Sequence, residues 1–237
     1  YMSEIKLANN KLLEYLDVRN VTGLSSTIDL SKCGNMLELR AEGSGAKGVI
    51  FANGGKIQKF YIPSVVSSTM KNLNYIEDFS FESYDNLQTL IVENTPAIDT
   101  YEIVNLSPNL QTVRLVGIDW NIEDISILER ILLMRGVNGD GGERNQSVLT
   151  GNVHVPVIRQ QQLYNYQNAW SDLEIVANTI IEQFAVTFMN ADGNVLEVQY
   201  VDKGEDAIDP TTRIDNPISP TIKSTISHDF IFTGWDS

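Results

Sequence analysis

The sequence has one cysteine, Cys33, and two histidines among its 237 residues. A lone thiol can neither close an internal disulfide nor build a thiolate metal cluster, which excludes a disulfide-stapled scaffold and a cysteine zinc site. Cys33 reads instead as a small buried apolar residue. With histidine so scarce and G-x-S-x-G absent, no Ser/His/Asp or Cys/His set can be assembled at credible positions. Positive charge is scarce as well: 17 Lys and Arg stand against 31 Asp and Glu, a formal net charge of −14. Such a surface repels polyanions, so general affinity for nucleic acid or an anionic membrane is not expected. No apolar run approaches the length of a membrane span, and the first residues carry no basic region, apolar stretch and cleavage site in series. Membrane insertion is not expected. The chain opens on Tyr1 rather than Met, which leaves a mature product and a piece of a longer protein both open.

What is present is a composition of 42% hydrophobic and 20% charged residues, enough for one sizeable core or two modest ones. One stretch invites a cofactor. EGSGAKGVIF, residues 42–51, contains G-x-G-x-x-G at Gly43, Gly45 and Gly48. A dinucleotide site needs a strand before the glycines, a helix opening at them and an acid about twenty residues on. A strand over LELRAE is credible, but VIFANGG is too short and too apolar to open a helix, and no Asp or Glu lies between Glu42 and Glu77. No cofactor is expected, and the glycines read as a tight corner. Lys47, Lys56, Lys59 and Lys71 fall in the same acid-free window, as an anion-binding patch or a solvated basic stripe.

Periodicity explains the corner. LLEYLDVRN, NMLELRAEG, KIQKFYIPS, YIEDFSFES, NLQTLIVEN and NLQTVRLVG share one template: an apolar residue, two variable ones, then apolar, variable, apolar. This resembles the L-x-x-L-x-L core of a leucine-rich repeat, a short parallel strand with alternate side chains in a stacked core. A weaker apolar pair sits between units, at Ile5 and Leu7, Ile28 and Leu30, and Val49 and Phe51, with Met70 and Val104 as poorer members. Each coil should therefore carry two strands. The pattern departs from the family in two places. Ile62 to Val92 spans one and a half coils, which leaves the edge occupied by Phe79 and Phe81 open. The expected asparagine follows the last apolar residue by two positions, at Asn20 and Asn94, with Gly43 and Gly117 elsewhere.

Beyond Gly117, NIEDISILERILLMRG reads as a helix capped by Asn121, with Ile122, Ile125, Leu128 and Ile131 or Leu132 on one face and Gly136 at its end. A strand over GNVHVPV, a helix over IRQQQLYNYQNAW and a strand over SDLEIVA follow, as an atypical terminal coil. His154 in that region reads as a core or edge histidine. AVTFMNADGNVLEVQYV is a hairpin joined at Asp192 and Gly193. Calcium binding by NADGN lacks the spacing and terminal glutamate of an EF-hand.

That opening, VTFMNADGNVL, together with the closing FIFTGWD and its Trp235, resembles the β-grasp-like Listeria/Bacteroides repeat of internalins and gut bacterial surface proteins. The likeness covers roughly the last fifty residues. The expected fold is accordingly α/β to mainly β: a leucine-rich-repeat solenoid of stacked coils over 1–181, with two strands per coil and convex helices near its C-terminal end, then a β-grasp-like module over 182–237. Repeat coils followed by this module also resemble internalin-type adhesins and structural proteins of gut bacteriophages. The resemblance implies display or attachment at a bacterial surface or on a virion, without a reaction.

The outward positions of the strand face are the candidate binding residues: Tyr15, Asp17, Arg19, Arg40, Tyr61, Ile91 and Arg114. Tyr and Arg anchor interfaces, and mixed sign confers specificity. The expected partner is a protein or glycan on a bacterial or host surface. The alternative is a structural spacer or decoration docked on other subunits of a larger assembly. A carboxylate-based glycan hydrolase using Glu77 and Asp78, or Glu123 and Asp124, is a remote third reading.

Overall fold

The computed structural model describes residues 2–7, 10–137, 143–145, 147–190 and 193–212. Eight strands come first: β1 (Tyr15–Asp17), β2 (Thr27–Asp29), β3 (Glu38–Arg40), β4 (Gly48–Ile50), β5 (Lys59–Ile62), β6 (Ser67–Lys71), β7 (Asp78–Phe81) and β8 (Thr89–Glu93). Then follow α1 (Thr100–Asn105), β9 (Thr112–Asn121), α2 (Ser126–Leu132), β10 (Arg135–Val137), β11 (Glu143–Asn145), β12 (Val148–Arg159), α3 (Gln160–Ala169) and β13 (Leu173–Ile181). A hairpin of β14 (Gln183–Met189) and β15 (Val195–Asp202) and a 3-10 turn at Pro210–Thr212 are the last elements among the described residues. No helix among the described residues is long and apolar enough to cross a membrane.

The odd strands β1-β3-β5-β7 form one four-stranded sheet, and β13-β12-β9-β8-β6-β4-β2 form a seven-stranded one. Every pairing in the first sheet is parallel, as are those from β2 through β12 in the second. Two smaller antiparallel pairs, β10-β11 and β14-β15, are the other strand pairs among the described residues.

This corrects the expected architecture. The fold is a pair of parallel sheets of four and seven strands with few helices, not a leucine-rich-repeat solenoid with two strands per coil. The template merged two different sheets. Its first four strands, β1, β3, β5 and β7, belong to the four-stranded sheet, while Thr89–Glu93 and Thr112–Asn121 are neighbours in the seven-stranded one. Between β8 and β9 the chain makes no strand of the smaller sheet. Residues 100–105 form α1 there, capped by Asp99, whose carboxylate accepts from the Glu102 amide at 2.9 Å. Val104, expected to end a weak strand, is buried in that helix. The slip at Ile62 to Val92 is the step from one sheet to the other.

Inward side chains stack in columns along each sheet. Ile28, Val49, Ser68, Leu90 and Val113 are in register on successive strands, and all are fully buried. In the smaller sheet Leu39, Phe60 and Phe79 are in register, with the Phe60 and Phe79 rings stacked at 5.4 Å. Phe51 closes on Phe60 at 4.9 Å. Burial of such side chains supplies about 1.5–3 kcal/mol each before chain entropy is subtracted.

The early asparagines also have their explanation. Asn20, Asn72 and Asn94 have φ of 58°, 53° and 44°, and Gly43 and Gly117 have 66° and 74°. Each stands two residues beyond a buried apolar side chain: Val18, Met70, Val92, Ala41 and Leu115. They are left-handed corners, a conformation that only Gly and, at modest cost, Asn adopt readily. The asparagine amides continue the ladder through the corner: Asn72 N–H donates to Glu93 O at 2.7 Å and Asn94 N–H to Val116 O at 2.8 Å.

Asn121 does not cap the next helix. It ends β9, and α2 starts at Ser126, whose N–H and hydroxyl both donate to the Asp124 carboxylate at 2.8 Å. Ile127, Leu128 and Ile131 form its buried side. The strand, helix and strand expected over 151–177 appear as β12, α3 and β13. The hairpin expected over 185–201 is present as β14 and β15, with Gly193 at φ 86°. Asp192, Trp235 and the closing FIFTGWD lie outside the described residues. Two compact units divide the chain: residues 1–155 with 166–176, and 156–165 with 177–237.

Candidate functional site

Alternation along the short strands of the smaller sheet turns one residue in two outward. Register then arranges these side chains in rows. Tyr15, Glu38, Lys59 and Asp78 make one row, and Asp17, Arg40, Tyr61 and Ser80 the next. The expected neighbours Asp17, Arg40 and Tyr61 are therefore brought together, at successive strands and in that order.

The rows are tied laterally. Arg40 Nε donates to Glu38 Oε1 at 2.5 Å, and its guanidinium carbon lies 5.4 Å from the Tyr61 ring centroid. Tyr61 donates its hydroxyl to Asp78 Oδ2 at 2.7 Å, and this bond is the first cause of a raised Tyr61 pKa. Arg19, just past β1, forks onto Asp17, with Nε 3.0 Å from Oδ1 and Nη2 2.6 Å from Oδ2. That fork holds the Asp17 carboxyl down at about 2. Tyr15, Asp17, Arg19, Glu38 and Arg40 surround a depression of about 220 Å³. Tyr15 is 63% exposed at its rim.

Two expected members are elsewhere. Ile91 and Arg114 are paired neighbours on β8 and β9 in the seven-stranded sheet. There Arg114 Nε donates to Glu93 Oε1 at 2.6 Å, and Lys71 Nζ stands 2.9 Å from the same oxygen. Lys71 first and Arg114 second hold the Glu93 carboxyl below its ordinary range. They were drawn into the site by the merged template, which counted both sheets as one. Conversely Glu38, Lys59, Asp78 and Ser80 were missed as face residues. Their signal was the same alternation: Glu38 and Lys59 stand two residues from the outward Arg40 and Tyr61, and Asp78 and Ser80 flank the inward Phe79.

Other candidates separate. Lys59 and Lys71 lie on strands of different sheets, and Lys71 is paired with Glu93. Gly43 is a left-handed corner and Gly48 opens a strand, not a helix, so the phosphate cradle does not form. Cys33 is buried, and burial pushes its thiol pKa up. His154 is an exposed residue on β12, which lies between β13 and β9 in the seven-stranded sheet, so it is neither a core nor an edge-strand histidine; its Nε2 is 3.4 Å from Asp119 Oδ1. Asp124 is held below the usual carboxylate range by the Ser126 amide and then its hydroxyl. A glycosidase general acid requires the opposite displacement.

Comparison with protein-family models, with curated proteins and with solved structures found no match to this chain.

Proposed function

We propose that this chain is a non-catalytic attachment module that engages a protein partner through the outer face of the four-stranded sheet. The observation that carries this reading is the gathering of Tyr15, Asp17, Arg19 and Arg40 around one surface depression, with Tyr61 in register beside them. Tyr and Arg supply contact area and directed hydrogen bonds, and alternating sign rejects partners with mismatched charge. Because these side chains are already tied to strand neighbours, little ordering remains to oppose binding. A shallow, charge-dense face suits a protein surface better than a glycan. The resemblance of the C-terminal segment to the Listeria/Bacteroides repeat supports a bacterial surface or a phage virion as the setting.

The test places a photo-crosslinking phenylalanine analogue at Tyr15 and, separately, at Thr69 on the other sheet, and exposes each protein to intact gut bacteria and to cultured epithelial cells. Crosslinking to a discrete surface protein from position 15 and not from position 69 is expected. Equal crosslinking from both positions would sink the reading.

One observation favours the alternative of a structural spacer. Arg19 and Arg40 are satisfied within the face, by Asp17 and Glu38, so the surface is stable without a partner. In that reading neither position crosslinks.

A further inference from the structure

Away from the charged face, the segment 95–101 and β9 enclose an open cleft of about 520 Å³. We propose that it is a binding site for a neutral saccharide, one or two sugar units long. The proposal concerns a separate site and stands independently of the attachment reading.

The cleft has a floor and a polar rim. Ile98 and Ile118 are buried beneath it, and the Trp120 indole is fixed by donating its N–H to Thr100 Oγ1 at 2.9 Å. Tyr101 stands edge-on to Trp120, with ring centroids 5.7 Å apart, and its hydroxyl makes no hydrogen bond among the described residues. Asp99, Asp119 and Asn121 complete the rim. The volume lies within the range typical of small-molecule sites.

Three features select the ligand. First, the lining has two carboxylates and no Lys, Arg or His, so phosphates, nucleotides and acidic sugars are repelled. Second, the rim is rich in acceptors. Asp99 spends one oxygen on the Glu102 amide and Asp119 faces His154 with Oδ1, which leaves one oxygen of each, together with the Asn121 carbonyl, to receive hydroxyl protons. Third, the Tyr101 ring and the isoleucines offer apolar surface for the C–H face of a pyranose. A cationic amine would also meet the carboxylates, but it needs open aromatic faces around it. Here a single ring, that of Tyr101, is offered, because the Trp120 indole is buried, so no cage of aromatic faces surrounds an ammonium.

Saturation-transfer NMR on the full chain tests this with glucose, galactose, N-acetylglucosamine, maltose and lactose, and with n-butylamine as the cationic probe. At least one sugar should receive saturation and the amine none. Tyr101→Ala and Asp119→Asn should each weaken sugar binding about tenfold, while Arg40→Ala with Tyr61→Ala leaves it unchanged. Asp119 is 78% exposed at its side chain, so Asp119→Asn keeps the test alive if loss of the Tyr101 ring unsettles the fold. No transfer to any of the sugars, transfer to the amine, or sugar binding that persists undiminished in both cleft variants overturns the proposal.

Discussion

Arg40 holds its guanidinium carbon 5.4 Å from the centroid of the Tyr61 ring, on the adjacent strand and in direct register. Tyr61 in turn donates to Asp78, and Arg40 donates to Glu38. Three neighbouring strands thus fix the orientation of one ring and one guanidinium without burying either. The backbone spacing of about 4.8 Å between strands sets the pattern, and the side chains only complete it.

The Asp17 carboxyl should titrate at about 2 in the folded chain, because Arg19 bonds to its charged form. The unfolded value is near 3.9. A depressed folded pKa contributes stability that is fully present above the unfolded value and is lost as pH falls through the folded one. The window is therefore about pH 4 down to 2. Carbon-detected NMR titration of Asp17 should show its midpoint rise toward the ordinary range in Arg19→Met; an unmoved midpoint would refute the fork as the cause.

Ser68 is the one hydroxyl in an otherwise apolar inward column, and its Oγ is buried with no hydrogen-bond partner among the described residues. An unsatisfied buried hydroxyl costs about 1–3 kcal/mol. Ser68→Ala removes it with little change in volume and should raise stability by about 1 kcal/mol in urea denaturation. A destabilised variant would mean that the hydroxyl has a partner in solution.

Gly45 and Gly43 should respond differently to alanine. Gly43 needs its φ of 66°, and an added Cβ would meet the movable Asn20 carboxamide at 2.5 Å. Gly45 has no such φ; its Cβ would instead strike the backbone carbonyls of Leu24 at 2.3 Å and Thr22 at 2.5 Å. Backbone cannot yield as a side chain can, so Gly45→Ala should cost about 2–3 kcal/mol and Gly43→Ala about 1 kcal/mol. Matched urea melts of the two variants decide the order.

The strands were legible in the sequence because alternation records which residues face a core. Which sheet receives a strand was not legible, since Leu90 and Phe60 satisfy the same inward position in different sheets. Hence Asp17, Arg40 and Tyr61 were ordered correctly while Ile91 and Arg114 were joined to the wrong face. The helix α1 carried its own signal, Asp99 three residues before Glu102, as in a capping box. It was overridden by the apparent period at Val104. Glu38, which pins Arg40, stands two residues away on the same strand and was within reach of local spacing; Asp78, which pins Tyr61, could be found only through register, because a partner on another strand leaves no mark there.

The face and the misassigned pair can be set against each other directly. Arg40→Ala with Tyr61→Ala removes a cation and a ring from the four-stranded sheet, and neither is part of the core. Surface changes of this kind seldom alter stability much, so the melting temperature should move by only about 1–2 °C. Ile91→Ala with Arg114→Ala is the control on the seven-stranded sheet, where it frees Glu93 from one of its two cations. Fluorescently labelled chain should be retained on whole bacterial or epithelial cells as wild type and as the Ile91/Arg114 variant, and lose retention as the Arg40/Tyr61 variant. The loss should appear mainly as faster release, since the pair acts at close range. Retention lost only in the Ile91/Arg114 variant would move the interface to the larger sheet, and equal retention in all three would leave the smaller sheet with a structural role alone.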